Sequence, residues 1–323
     1  MMGFARSTLE LKLLTLIILT SCQSPMTKVP TATWTPTHFT APDGTEFPYS
    51  KWLPQRSPRA VILGIHGLGG AASDWRPLGE YFRERGIAVY AHELRGMGND
   101  PLGPRVGDLD HPQGWFEDFS SFALRVQSVH PGVPIFWYGE SLGGIIGAHL
   151  SGKASALGLR PSGFILASPI VQITGKLPVW QTCLLKLGSW IAPTYRLNLQ
   201  SLASNGSSPA QVVSTTSHEA QLEHTPHAVH RFSLRLLQRI GTLVKANRTL
   251  IKKNSRPILV LYAGNDIFTK PEEVEQFFGE IGGNHKEKRF YPEGYHLLLH
   301  DVSSDDILAD IEMWLEKYLE ISA

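Results

Sequence analysis

The sequence predicts an α/β fold: a mostly parallel, twisted sheet flanked by helices, with a helical insertion late in the chain. Three observations carry this. Short, continuously apolar runs alternate with segments whose apolar residues recur at helical spacing, the mark of strands buried on both faces. The alternation lapses between about residues 170 and 255, where helical patterns continue without a clear strand. The 323 residues are 42% apolar and 18% charged, enough to build one large core.

The elements follow in order. Ala60–Ile65 is an apolar run that ends in the glycine loop His66-Gly-Leu-Gly-Gly70, so it predicts a strand entering a tight loop. From Trp75 to Arg85, Trp75, Leu78 and Phe82 share one helical face. Gly86–Ala91 predicts a second strand, followed by the turn-rich segment His92–Gly98. Trp115–Val129 repeats Phe119, Phe122 and Val126 at helical spacing and is stopped by Pro131-Gly132. Pro134–Tyr138 predicts a third strand and Leu142–Leu150 a helix of small residues. Gly163–Ala167, Pro257–Tyr262 and Lys288–Tyr291 predict strands four to six, and Ile307–Leu319 a closing amphipathic helix.

The N-terminus reads differently. Arg6 and Lys12 precede the apolar run Leu13–Leu19, which is shorter than the roughly 20 residues a membrane-spanning helix needs. It predicts a signal-peptide core over residues 1–21. Leu19-Thr-Ser-Cys22 resembles the lipobox of bacterial lipoproteins. That resemblance implies cleavage before Cys22, lipidation of its thiol and a bacterial envelope location. Gln23 after the cysteine points to the outer rather than the inner membrane. Residues 23–38 hold nine Ser, Thr or Pro among sixteen, a composition that predicts a flexible tether over 22–38. The expected organisation is then a core from 39–169 and 256–323, with 170–255 as a helical cap.

The stretch Gly139-Glu-Ser-Leu-Gly-Gly144 places one serine in a sharp turn between a strand and a helix. There its hydroxyl stands exposed above the sheet, near the helix amides. A serine hydroxyl needs a base, and the base an orienting acid. Asp266 follows the fifth strand in Ala263-Gly-Asn-Asp266, and His296 follows the sixth in Gly294-Tyr-His296. Ser141, Asp266 and His296 are therefore the candidate nucleophile, acid and base. The backbone N–H groups of Leu68 and Leu142 are the candidate oxyanion donors. A neutral histidine base predicts activity rising with pH through about 6–7.

Four segments together resemble the monoacylglycerol lipase and lysophospholipase branch of the α/β-hydrolase superfamily. They are His66-Gly-Leu-Gly69, Glu93-Leu-Arg-Gly-Met-Gly98, Gly139-Glu-Ser-Leu-Gly-Gly144, and Gly264-Asn-Asp266 with Tyr295-His296. The resemblance implies a serine esterase acting on a monoacylglycerol or lysophospholipid through an acyl-enzyme on Ser141, with residues 170–255 as the cap. Two positions depart from it: Glu140 stands where histidine or glutamine is frequent, and Glu93 where aspartate is usual.

Competing readings bound these assignments. Asp301, Asp305 and Asp306 lie after His296, in the wrong order for the acid. His300 competes for the base, and His66 is expected to shape the oxyanion loop. His218, His224, His227 and His230 with Glu223 share a region, but Pro226 interrupts them, so no metal is expected there. The glycines after His66 lack the spacing of a dinucleotide fingerprint, and no cofactor is expected. Cys183 reads as a buried apolar residue, and two cysteines give no disulfide framework. A formal charge of +1 offers no footprint for nucleic acid. The expected partners are a small ester or lipid and, through Cys22, a membrane. Short-chain esterase, peptidase, acyltransferase and inactive binding module remain open on the same residues.

Overall fold

The computed structural model describes residues 29–172, 187–198, 211–214 and 227–320. Cys22, Cys183, His218, Glu223 and His224, and the expected signal peptide, lie outside the described residues. Among the described residues no helix is long and apolar enough to cross a membrane.

The strands are β1 (Thr33–Trp34), β2 (His38–Thr40), β3 (Glu46–Trp52), β4 (Ala60–Ile65), β5 (Ile87–His92), β6 (Ile135–Glu140), β7 (Gly163–Ala167), β8 (Arg196–Asn198), β9 (Arg231–Ser233), β10 (Ile258–Ala263) and β11 (Lys286–Tyr291). The helices are α1 (Arg76–Arg83), α2 (Gln113–Val129), α3 (Leu142–Ser151), α4 (Leu234–Leu250), α5 (Pro271–Glu280) and α6 (Ser304–Glu320). The main sheet runs β1-β2-β3-β5-β4-β6-β7-β10-β11. It is parallel from β5 to β11 and antiparallel over β1, β2 and β3.

The central strands are buried on both faces because their alternate side chains enter two cores. Val61, Leu63 and Ile65 of β4 and Ile135 and Trp137 of β6 face the layer of α2, α3 and α4. Ile62, Phe136 and Tyr138 face α1 and α6, against Trp75, Phe82, Ile311 and Trp314. A fully buried aliphatic or aromatic side chain contributes about 1.5–3 kcal/mol, so these two layers fix the strand order that carries the site.

Three features differ from the expectation. Residues 29–38 are not a free tether. Val29 and Ala32 are buried, and Ser121 Oγ donates to the Pro30 carbonyl at 2.6 Å. Trp34 packs on Tyr49, Tyr90 and Phe122. The few apolar side chains suffice because α2 and the β2–β3 hairpin offer a ready surface. The insertion also contains strands: β8 pairs antiparallel with β9. Finally, α4 belongs to the core layer rather than to a cap. Its Leu236, Ile240, Leu243 and Val244 join the cluster of Ile145 and Ile146, and Asn247 Nδ2 donates to the Ile145 carbonyl at 2.7 Å.

Candidate active site

The strand β6 ends at Glu140, α3 begins at Leu142, and Ser141 between them sits at φ 52°, ψ −113°. This left-handed φ is costly for a residue with a Cβ and is held by its surroundings. A Cβ on Gly139 would overlap the Gly143 carbonyl, and one on Gly143 would overlap the Ile65 carbonyl. Glycine is required at both positions for the turn to pack. The Ser141 N–H donates to the Ala167 carbonyl at 3.0 Å, which pins the turn to β7.

Asp266 leaves the end of β10 in a loop tied to the loop after β11. Gly264 N–H donates to the Tyr291 carbonyl and Asn265 N–H to the Gly294 carbonyl, each at 2.9 Å. Asp266 Oδ1 accepts from the N–H groups of Phe268 at 2.8 Å and Thr269 at 3.1 Å. That leaves Oδ2 to accept from His296 Nδ1 at 2.8 Å. Because a carboxylate only accepts, Nδ1 carries the proton and Nε2 is free to accept. Ser141 Oγ lies 2.9 Å from Nε2 and donates to it. The three residues expected from the sequence thus form one buried hydrogen-bonded chain, with Ser141 5% and His296 4% exposed. Burial pushes the His296 imidazole down, but Asp266 beside it, with a smaller contribution from Glu140, more than offsets this. The net proton affinity is raised above the ordinary value of 6.5.

The loop after β4 lies against the serine, since a Cβ on Gly67 would stand 3.3 Å from Ser141 Cβ. Leu68, partly buried, follows on this loop, and Leu142 opens α3. His66 uses both ring nitrogens on the backbone: Nδ1 donates to the Gly67 carbonyl at 2.9 Å and Nε2 accepts from Leu94 N–H at 3.0 Å. It therefore shapes the loop, as expected. Glu93 supports the same loop, its Oε1 accepting from Ala72 N–H at 3.1 Å and Asn99 Nδ2 at 3.0 Å. Gly69 approaches Val229 and Phe232, so the segment around β9 reaches the loop.

The competing residues stand apart from this chain. Asp301 holds the His296 loop, accepting from Tyr295 N–H at 2.9 Å and from Ser214 N–H at 3.1 Å. Leu297 N–H donates to the Val212 carbonyl at 3.0 Å, so residues 211–214 clamp the same loop. Asp305 and Asp306 are exposed in the first turn of α6, and His300 is exposed. The clamp by Asp301 was not read from the sequence, and no local signal marks it. No group of three or more metal-ligating side chains occurs among the described residues.

This fold and this serine–histidine–aspartate chain define an enzyme of the α/β-hydrolase class, a serine hydrolase. Residues 56–303 match the family described as Hydrolase_4, serine aminopeptidase S33, and the chain belongs to that family. It is 23% identical over 274 residues to an abhydrolase domain-containing protein of Dictyostelium discoideum, covering 83% of this chain and 27% of that much longer one. It is 25% identical over 289 residues to a monoacylglycerol lipase of Mycolicibacterium smegmatis, covering 87% of this chain and 96% of the other. In fold it matches a soluble variant of monoglyceride lipase from Saccharomyces cerevisiae, solved with a substrate analogue. The TM-score is 0.74 at 21% identity, covering 91% of this chain and 97% of the other.

Proposed function

We propose that the protein hydrolyses a carboxylic ester of a lipid, a monoacylglycerol or a lysophospholipid, through an acyl-enzyme on Ser141. The observation that carries this reading is the unbroken Ser141–His296–Asp266 hydrogen-bonded chain. His296 Nε2 takes the Ser141 proton as Oγ attacks the ester carbonyl. Asp266 holds the tautomer and stabilises the imidazolium. The N–H groups of Leu68 and Leu142 receive the oxyanion. His296 then protonates the leaving alcohol, and water activated by the same nitrogen releases the acid. Each step needs only one proton at Nε2, so no cofactor enters the scheme.

The lipid substrate has two supports. One is the similarity to a monoacylglycerol lipase over nearly the whole chain. The other is an apolar surface in the 170–255 segment, where Leu187, Trp190, Ile191 and Tyr195 are 50–81% exposed. Lipidation of Cys22 would hold the enzyme at the outer membrane of a bacterial envelope and raise the local concentration of such substrates. A second reading, peptide hydrolysis, is favoured by the description of the matching family.

A hydrolysis screen separates these readings. Monoglycerides and lysophospholipids of several acyl lengths should be cleaved faster than short-chain esters and N-terminal amino-acid amides, and products formed with an added alcohol would register acyl transfer. Amide cleavage exceeding ester cleavage would overturn the lipid reading in favour of the peptidase. Cys22→Ser should move the protein from the membrane to the soluble fraction; unchanged membrane association would refute lipidation.

A further inference from the structure

Glu140 is the last residue of β6 and directly precedes the nucleophile. It is 5% exposed, and its Oε1 has no hydrogen-bond partner among the described residues. No lysine or arginine forms an ion pair with it among the described residues. A buried carboxylate left unpaired lowers the stability of a fold. Glu140 stands one residue from Ser141, whose Oγ lies 2.9 Å from His296 Nε2. His296 and His300 act on it from the loop after β11 and Asp74 from the turn before α1, while Tyr138 lies two residues back on its own strand. Among the described residues, the charged groups that raise the proton affinity of His296 are Asp266 and, to a smaller extent, Glu140.

Asp266 already fixes the His296 tautomer, so Glu140 is not needed to orient the ring. Its effect is a field between two buried groups, 5% and 4% exposed, where a charge acts more strongly than in bulk water. We propose that Glu140 is a second carboxylate of the site, a positioning residue that acts through space to stabilise the His296 imidazolium formed when Ser141 gives up its proton. Asp266 works by contact on the Nδ1 side; Glu140 works at a distance from the strand that carries the serine. Burial raises the proton affinity of Glu140 and Asp74 adds to the rise, which disfavours its charged form; His300 and His296 oppose the rise, the sign expected where an imidazolium and this carboxylate stabilise each other. In the other direction Glu140 adds to the raised affinity of His296.

The inference rests on Ser141 being the nucleophile, and the test separates the two claims. The pH dependence of kcat/KM for an ester, and of the rate of inactivation by a fluorophosphonate, is measured for wild type, Glu140→Gln and Glu140→Asp. Failure of the wild type to react with the fluorophosphonate at any pH would remove the nucleophile itself. If it reacts, Glu140→Gln is expected to shift the acid limb to lower pH in both profiles. One pH unit below the wild-type midpoint it should then retain about twofold more of its own plateau rate than wild type does. Glu140→Asp, which keeps the charge, should lie nearer to wild type than Glu140→Gln does. A Glu140→Gln acid limb that coincides with wild type, or moves to higher pH, overturns the proposal even if the plateau rate falls. Glu140→Met, similar in volume and needing no partner, carries the same test should Glu140→Gln fail to fold.

Discussion

Gly143, the second residue of α3, packs so closely on Ile65 at the end of β4 that a side chain on it would overlap the Ile65 carbonyl. This contact draws the helix carrying the Leu142 amide onto the strand that leads into the His66–Gly70 loop. It sets the two candidate oxyanion donors on one scaffold.

Gly143→Ala therefore forces backbone atoms apart at the site. The expected loss is about 2–3 kcal/mol in denaturant unfolding, together with loss of fluorophosphonate labelling. Gly103→Ala is the control, since a Cβ there meets nothing within 4 Å, and it should stay within about 0.5 kcal/mol of wild type. Equal stability of the two variants would show that the packing at residue 143 is not required.

The backbone of Ser141 stores strain that glycine would not feel. Ser141→Gly should unfold at a higher temperature, with a gain of about 1 kcal/mol, while esterase activity falls to a residual level. A less stable variant would contradict the reading of φ 52° as strain at this serine.

Asp266→Asn keeps the shape of the acid but reverses what it offers to His296 Nδ1. The imidazole would then present the wrong tautomer to Ser141. The expected fall in kcat is roughly 10,000-fold with KM little changed. A fall of less than about tenfold would move the orienting role to another group.

His296 must be neutral to take the serine proton. Its proton affinity is raised in the folded state, so the acid limb of kcat/KM is expected above the 6.5 of an unperturbed imidazole. Taken alone, the same shift implies that protonated His296 contributes stability below the unfolded-state value, and that this contribution fades as pH rises through the folded-state value. A limb centred below 6.5 would mean that burial outweighs Asp266 and Glu140.

Much of this was legible in the chain because the signals are local or ordered. The strands β4, β6, β7 and β10 are apolar on both faces, so their runs stand out regardless of what covers them. The turn at Ser141 is written in Gly139, Gly143 and Gly144, each of which has a backbone or ring atom against it. Asp266 and His296 were found by their position after strands. The strand β3 escaped because its Phe47 and Tyr49 point inward while Glu46 and Lys51 lie at the surface, and Pro48 interrupts the run. Residues 29–38 read as a tether because composition cannot register three well-placed apolar side chains. The helix α4 was legible as a helix, but its Leu236–Val244 face does not say which surface it meets. Glu140 acts on His296, and Asp301 joins the His296 loop to Ser214, across long stretches of sequence that no spacing rule reaches.

The central claim is that Ser141 is the nucleophile. Its most direct measurement is the intact mass and peptide map of the protein after reaction with a fluorophosphonate. The account predicts one adduct per chain, on Ser141, and none in Ser141→Ala; an adduct of equal yield in Ser141→Ala, or one mapped to another residue, would contradict it.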